Sequence, residues 1–507
     1  MTHSQMNKPM TISKTANQAG WLFTLLVLLF AALYLFNISG WLINGDEGTD
    51  LYEVWQLQVG NQPGVDFIAE QQPLFLLLGK LGLGFSDDSA QSIKVLRLFS
   101  AVQVLAGTVF LGLVVKRLWD VPTAALTFGL TLASGLVYEQ ARLFRPDPMM
   151  FAWELVGLGF VLLAVKLGKR PYWAGAGLAY GIAFLMKPFG IFPVIGLAFF
   201  FLYLFIRQTK QWRAHLLNGL TFAIPFLLIS GGVSLILYSQ LGFYYQEAFQ
   251  QHLSLGQEKT VQDQIAITLV IYLRFILFNA VVLFILPLAL LNRRSGEKVV
   301  TFPEKQIVWT QLLVPFLFIF VTRPLYPRYL IFLMPPLALL LGLQLKGVFN
   351  KIPPRQPYAL VITSLLIFGV AGFAIFSTFP SVTTMLTQQE DDTIALAHYI
   401  QANTEPNEVV LGDYAGLNFH AKRPSIYEAS IIAGGRIKGG IITGALLVER
   451  MEASQPQLVL LHVEGRNPDH LIHLIDFEVF ADYLADNYQL IDVFDRAGQI
   501  IEIYQRQ

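Results

Sequence analysis

The chain of 507 residues contains no cysteine, which excludes a disulfide framework, a Cys-ligated zinc site and a thiol nucleophile. Charge is scarce as well. Only 14% of residues are Asp, Glu, Lys or Arg, against about 25% in ordinary soluble domains. The formal net charge is zero, so the basic face that nucleic-acid binding needs is missing and no nucleic-acid partner is expected. No internal repeat and no low-complexity segment stands out, which argues against a transporter built from inverted halves. What the chain has in quantity is apolar sequence, 54% of all residues. A soluble core could not absorb that much, so the composition describes a polytopic membrane protein.

Eleven apolar runs fall between residues 20 and 379, each near the roughly twenty residues that cross a bilayer. The clusters Lys116/Arg117, Lys166/Lys169/Arg170, Arg207/Lys210/Arg213, Arg293/Arg294/Lys298/Lys305 and Lys346/Lys351/Arg355 occupy alternate loops. With Lys8 and Lys14 they mark a cytoplasmic side by the positive-inside bias. The first run is long for a signal peptide and lacks a convincing cleavage site, so it reads as a retained helix. From about Pro380 helical patterns alternate with short β-rich runs, the pattern of a small α/β domain. The expected organisation is a cytoplasmic tail over 1–19, a transmembrane domain over 20–379 and an extracytoplasmic α/β domain over 380–507. The location this implies is the plasma membrane, crossed many times, with the N-terminus inside.

On this topology the unusual residues collect at the outer face. Gly45-Asp46-Glu47 opens an outer loop of about fifty residues that also carries Asp50, Glu53, Asp66 and Glu70. Adjacent carboxylates at a bilayer edge are costly, so they are either solvated loop charges or the wall of a water-filled cavity. A second outer loop holds Arg142, Arg145 and Asp147; Lys187 ends the fifth run; Arg323 and Arg328 lie in the last outer turn; His252 lies in the fourth loop. Carboxylates suit proton abstraction or metal binding, whereas arginine and lysine suit a phosphate. Structural alternatives stand beside each. Arg142 and Arg145 could anchor spans at the interface, Asp147 between two prolines could cap a helix, and Lys187 could complement a helix C-terminus.

These motifs resemble GT-C fold membrane glycosyltransferases of the dolichyl-phosphate-mannose–protein mannosyltransferase type, a group that includes the lipid A aminoarabinose transferase. Asp46-Glu47 resembles the pair that opens the family's first outer loop, and Glu70-Gln71-Gln72-Pro73-Leu74 stands where relatives carry an acidic-basic-Pro-Pro-Leu stretch. Ala141-Arg142 with Asp147, the glycine-spaced run Gly177 to Lys187, and Arg328-Tyr329-Leu330 with Pro335-Pro336 follow in family order. Gln71 replaces the usual lysine, which shifts the expected phosphate contact to other cations. The resemblance covers roughly residues 20–345.

The resemblance implies a polyprenyl-phosphate sugar donor, a protein, lipid or glycan acceptor, and inverting transfer at the outer membrane face. Asp46 would be the general base, its pKa raised by burial at the bilayer edge while nearby cations limit the rise, and Glu47 would orient the acceptor or Asp46. Arg142, Arg145, Lys187, Arg323 and Arg328 would bind the donor phosphate. Glu70 and Asp147, with His252 as a third ligand, would hold an optional divalent cation: Mg or Mn on carboxylates alone, Zn if the imidazole joins. The competing reading is a carrier or flippase for lipid-linked glycans, which calls for charges buried mid-span and paired between helices.

Overall fold

The structure is a computed structural model that describes residues 14–38, 45–86, 88–241, 260–279, 304–319, 326–349, 392–463, 470–496 and 499–507, with single positions between 369 and 383. Helices dominate the first 349 residues. They are α1 (Lys14–Leu35), α2 (Gly45–Val59), α3 (Pro73–Leu83), α4 (Ser89–Leu118), α5 (Val121–Leu132), α6 (Gly135–Ala141), α7 (Pro146–Leu167) and α8 (Arg170–Met186). There follow α9 (Ile191–Arg207), α10 (Trp212–Leu227), α11 (Ser234–Leu241), α12 (Val261–Phe278), α13 (Glu304–Ile319) and α14 (Met334–Phe349).

Local chemistry sets the boundaries. The Asp88 carboxylate accepts the Ala90 N–H at 2.9 Å to start α4, and Asp120 accepts the Thr123 N–H at 2.8 Å to start α5. Pro146 and Pro148 sit in the first turn of α7, where a missing N–H costs nothing, and Gly168 ends that helix in the left-handed region at φ 67°. Between α10 and α11 lies a π-helical turn, Leu228–Val233, that contains Gly231 and Gly232.

Four helical stretches among the described residues are long and apolar enough to cross a membrane: Ser89–Leu118, Pro146–Leu167, Pro188–Arg207 and Thr209–Ser239. A fifth arises if α5 and α6, which meet at 67°, form one broken span. The outer segment expected to be a loop after residue 44 instead contains two helices, α2 and α3. The apolar stretch first read as one run ends as a helix at Leu35, and Asp46 begins a helix of its own.

Small residues let the helices approach closely. A Cβ at Gly107 on α4 would lie 2.5 Å from the Ala152 carbonyl oxygen on α7. On α8, a Cβ at Gly177 would lie 2.2 Å from the Phe222 carbonyl oxygen, and one at Gly181 2.8 Å from Ile229. The glycine spacing of this helix therefore serves its packing on α10 and the π turn.

The C-terminal α/β unit comprises α15 (Thr393–Ala402), β1 (Val410–Gly412), α16 (Ala415–Ala421), the helices Gly444–Ser454 and Phe477–Asn487, and strands β2 (Leu458–His462), β3 (Tyr488–Arg496) and β4 (Gln499–Arg506). The sheet order is β1-β2-β4-β3: β1 and β2 are parallel with Val410 opposite Leu458, and the other pairs are antiparallel. One face packs on Met451, Phe480 and Leu484, the other on Leu396, Ile400 and Leu417. Strand β3 was not expected; its exposed Leu490, Ile491 and Val493 carry no clean two-residue alternation.

This unit sits directly on α2 and its surroundings. The Ser425 N–H donates to the Tyr52 hydroxyl at 2.8 Å, the Ile68 N–H to Ser430 Oγ at 3.0 Å, and Ser89 Oγ meets His420 Nδ1 at 2.9 Å. The Tyr414 ring lies over Gly48, where an added Cβ would be 2.8 Å from it.

The packing role of Gly177 yields a stability test. Gly177→Leu should lower the thermal midpoint of the purified protein by an amount matching about 1–3 kcal/mol of overpacking. Gly219→Ala, whose added Cβ meets nothing within 4 Å, should leave it unchanged or raise it.

Candidate active site

Helix α2 presents two adjacent carboxylates to different surroundings, since neighbours on a helix point about 100° apart. Glu47 turns inward and is wholly buried. Arg97 on α4 grips it with two parallel bonds, Nε to Oε1 at 2.8 Å and Nη2 to Oε2 at 2.6 Å. The Phe144 N–H donates to the same Oε1 at 2.8 Å. Asp46 turns outward with 53% of its side chain exposed, yet its Oδ2 bridges two guanidiniums, Arg145 at 2.8 Å and Arg328 at 2.6 Å.

Around this bridge the other charges assemble. Arg145, at the N-cap of α7, also faces Asp50 at 3.9 Å, one helical turn beyond Asp46. Asp147 in the first turn of α7 receives Lys187 Nζ on both oxygens at 2.8 Å, and Lys187 lies at the C-terminal end of α8. The ammonium also sits 5.2 Å from the Tyr329 ring centre and 5.5 Å from that of Phe189. Arg328, in the 3-10 segment Pro327–Leu333, lies over Tyr326 at 4.2 Å. Four elements distant in sequence thus meet in one cluster.

The electrostatics split the acids of α2. Burial acts to raise the Asp46 carboxyl, but Arg145 and Arg328 outweigh it and hold it below its usual value. This reverses the rise expected from the bilayer-edge position alone, because two guanidiniums make direct contact. Asp50 goes the other way: burial pushes it well above the carboxylate range, and Arg145 does not compensate. Glu53 is raised by burial and by its neighbours Asp50 and Glu70. Arg145, Arg328 and Lys187 thus face Asp46 and Asp147, a local excess of positive charge suited to a phosphate.

Several candidates take other partners. Arg142 is fully buried and engages Tyr138 Oη and the Asn37 carbonyl (2.8 Å), which ties it to the C-terminal end of α1 rather than to the cluster. Glu70 faces Arg436 of the C-terminal unit at 3.7 Å, and its N–H donates to Glu53 Oε1 at 3.3 Å. Gln72 accepts the Tyr238 hydroxyl at 3.1 Å. Of the ligands expected for a divalent cation, Glu70 faces Arg436 and Asp147 receives Lys187 on both oxygens. His252 and Arg323 lie outside the described residues.

Arg97 was missed from sequence, and Tyr329, read there as part of the Arg328-Tyr329-Leu330 motif, was given no site role. The available signal was Arg97 as a lone cation at the edge of an apolar run, a position that needs a buried partner or a snorkelling route.

A family model described as dolichyl-phosphate-mannose-protein mannosyltransferase matches residues 73–233. That segment carries Arg145, Asp147 and Lys187 but neither Asp46 nor Arg328. Two structures of ArnT from Cupriavidus metallidurans are similar over 96% of this chain and 98% of theirs at 15% identity. One is bound to undecaprenyl phosphate (TM-score 0.66) and the other is in the apo state (TM-score 0.67). The Archaeoglobus fulgidus oligosaccharyltransferase, tethered to an acceptor peptide, is similar over 98% of this chain and 74% of its own at 13% identity, TM-score 0.60. The fold is the GT-C fold. The resemblance read from the motifs is borne out. A comparison with curated protein sequences gives no match.

The buried Glu47–Arg97 pair gives the test of this geometry. Arg97→Met leaves a buried carboxylate without its cation and should cost about 3–5 kcal/mol. Thermal unfolding in detergent should show that loss, and the double variant Arg97→Met/Glu47→Gln should recover part of it.

Proposed function

We propose that the protein is a glycosyltransferase that moves a sugar from a polyprenyl-phosphate donor to an acceptor hydroxyl, with inversion, at the outer membrane face. The observation that carries this reading is Asp46: an exposed carboxylate bridging Arg145 and Arg328 beside the Lys187–Asp147 pair. The description of ArnT as bound to undecaprenyl phosphate supports the donor class.

In this scheme the donor phosphate docks on Arg328, Arg145 and Lys187, and the polyprenyl tail stays in the bilayer. The acceptor hydroxyl gives its proton to Asp46 as its oxygen attacks the anomeric carbon from the face opposite the phosphate. The C–O bond to the phosphate breaks, and the cations neutralise the charge that builds on the departing polyprenyl phosphate. Glu47 keeps Asp46 in place and touches neither substrate. At rest Asp46 is a weak base, since two guanidiniums stabilise its anion. A phosphate that takes over those guanidiniums would relax their hold and make Asp46 more basic once donor is present.

The proposed topology keeps eleven spans, a cytoplasmic N-terminus and an extracytoplasmic C-terminal unit, as the alternation of basic loops supports. Ser454 is exposed at the end of helix Gly444–Ser454 and serves as reporter in this Cys-free chain. A membrane-impermeant maleimide should label Ser454→Cys in intact cells. Labelling confined to permeabilised cells would invert the topology.

Asp46→Asn should lower kcat about a hundred- to ten-thousandfold with little change in donor binding. The acid limb of kcat/KM, which reports the free enzyme, should lie below the usual carboxylate range, because the depressed Asp46 stays ionised as pH falls. The limb of kcat should lie higher, and Arg328→Gln should raise the kcat/KM limb. Coincident limbs for kcat and kcat/KM would remove the activation by donor, and near wild-type turnover in Asp46→Asn would remove the base.

The cations are separable. Lys187→Ala and Arg328→Ala should each weaken donor use about 10- to 150-fold, the loss of a charge-assisted contact of about 1.5–3 kcal/mol. Arg142→Ala should lower stability and leave donor KM near wild type.

A further inference from the structure

The C-terminal unit contains a second polar cluster that the proposed transfer does not use. Strands β1 and β2 run parallel, so their carboxyl ends lie side by side, the position where α/β sheets commonly place ligands. Asp413 follows β1 directly, His462 closes β2, and His470 precedes the 3-10 turn Leu471–His473. All three are buried, with exposures of 7%, 1% and 4%. One potential ligand atom from each lies within 4.8 Å of the others. The two imidazole rings stack with centroids 4.5 Å apart, and His462 Nδ1 is hydrogen-bonded to Asp413 Oδ1.

That bond leaves a remainder. Asp413 Oδ2 and His462 Nε2 are buried with no hydrogen-bond partner. Internal packing alone explains a stacked imidazole pair, but it leaves two strong acceptor sites desolvated and unpaid for. A cation seated between the Asp413 carboxylate and His462 Nδ1, in place of their hydrogen bond, would take up the carboxylate charge.

We propose that Asp413, His462 and His470 hold a transition-metal ion, Zn²⁺ foremost. Two imidazole nitrogens and a carboxylate oxygen form a donor set typical of Zn²⁺, whereas Mg²⁺ and Ca²⁺ favour oxygen throughout. The Asp413–His462 contact brings a carboxylate oxygen and an imidazole nitrogen within reach of one ion. The site is built from β1, β2 and the residue before the 3-10 turn, so an ion there cross-links the carboxyl edge of the sheet. It also acts at a distance. Tyr414, next to Asp413, carries the ring that covers Gly48, two residues beyond Asp46 on α2. The ion is thus a positioning element for the contact between the C-terminal unit and the helix that bears the charged cluster.

The test uses the full-length protein purified in detergent, stripped with chelator, dialysed, and reloaded with ZnCl₂, CoCl₂ or MgCl₂. It requires no glycosyl donor, so its failure leaves the transferase reading untouched. The wild type should retain one Zn²⁺ per chain by elemental mass spectrometry, and Co²⁺ should give the visible bands of a low-symmetry nitrogen/oxygen site. Mg²⁺ should neither bind nor compete. His462→Gln, His470→Gln and Asp413→Asn should each bind Zn²⁺ at least about a hundredfold more weakly. Zn²⁺ should raise the thermal midpoint of the wild type and not that of the variants. If His462→Gln does not fold, the near-isosteric Asp413→Asn and the wild-type titration still decide. A stripped wild type that takes up no Zn²⁺ or Co²⁺, or equal uptake by wild type and variants, overturns the site.

Discussion

Everything at the charged cluster depends on one buried ion pair, Arg97 with Glu47. Helix α2 buries Glu47, Asp50, Glu53 and Gln56 beside its apolar Leu51, Tyr52, Val54 and Leu57, so apolar contact alone does not fix which way it faces. The two-pronged contact to Arg97 locks it to α4, a long apolar helix, and fixes its rotation about its own axis. Glu47 also accepts the Phe144 N–H, so the same carboxylate holds the turn that leads into α7. The next residue on each side then pairs in turn, Asp46 with Arg145. A structural contact and a chemical one are thus set in register by a single peptide step on each strand of chain.

The cluster itself balances two demands on a carboxylate. On the proposed reading Asp46 must stay ionised, which cations favour, yet it must accept a proton, which the same cations oppose. Asp46 in its resting contacts leans toward the first. Neighbouring acids on the same helix lean the other way: Asp50 and Glu53 are buried and driven toward the neutral form. Separation of acids that share a helix turn is what assigns them different tasks.

The C-terminal unit is part of this arrangement and not a loose appendage. Ala415 and Phe419 of α16 belong to the same core as the membrane helices, and Tyr52, Ile68 and Ser89 hydrogen-bond with Ser425, Ser430 and His420 respectively. Contacts of this kind restrict how α2 can tilt.

Composition and pattern were enough for the class of the molecule: too few charges and too much apolar sequence for a soluble core, basic residues in alternate loops, and a change of texture near Pro380. Order and type of motif were enough for the GT-C resemblance, because they depend on which residues stand near which helix end. Asp46, Arg145, Lys187 and Arg328 were legible as polar groups near helix ends for the same reason. Their division of labour was not. Asp46 and Glu47 are neighbours of identical charge, and Arg142 and Arg145 lie three residues apart, so local sequence treats each pair alike. Only the tertiary structure separates them, because burial and ion pairing depend on what comes from far along the chain: Arg97 for Glu47, Asn37 for Arg142, Arg328 for Asp46. The same holds for Asp413, His462 and His470, whose proximity exists only through the parallel pairing of β1 with β2.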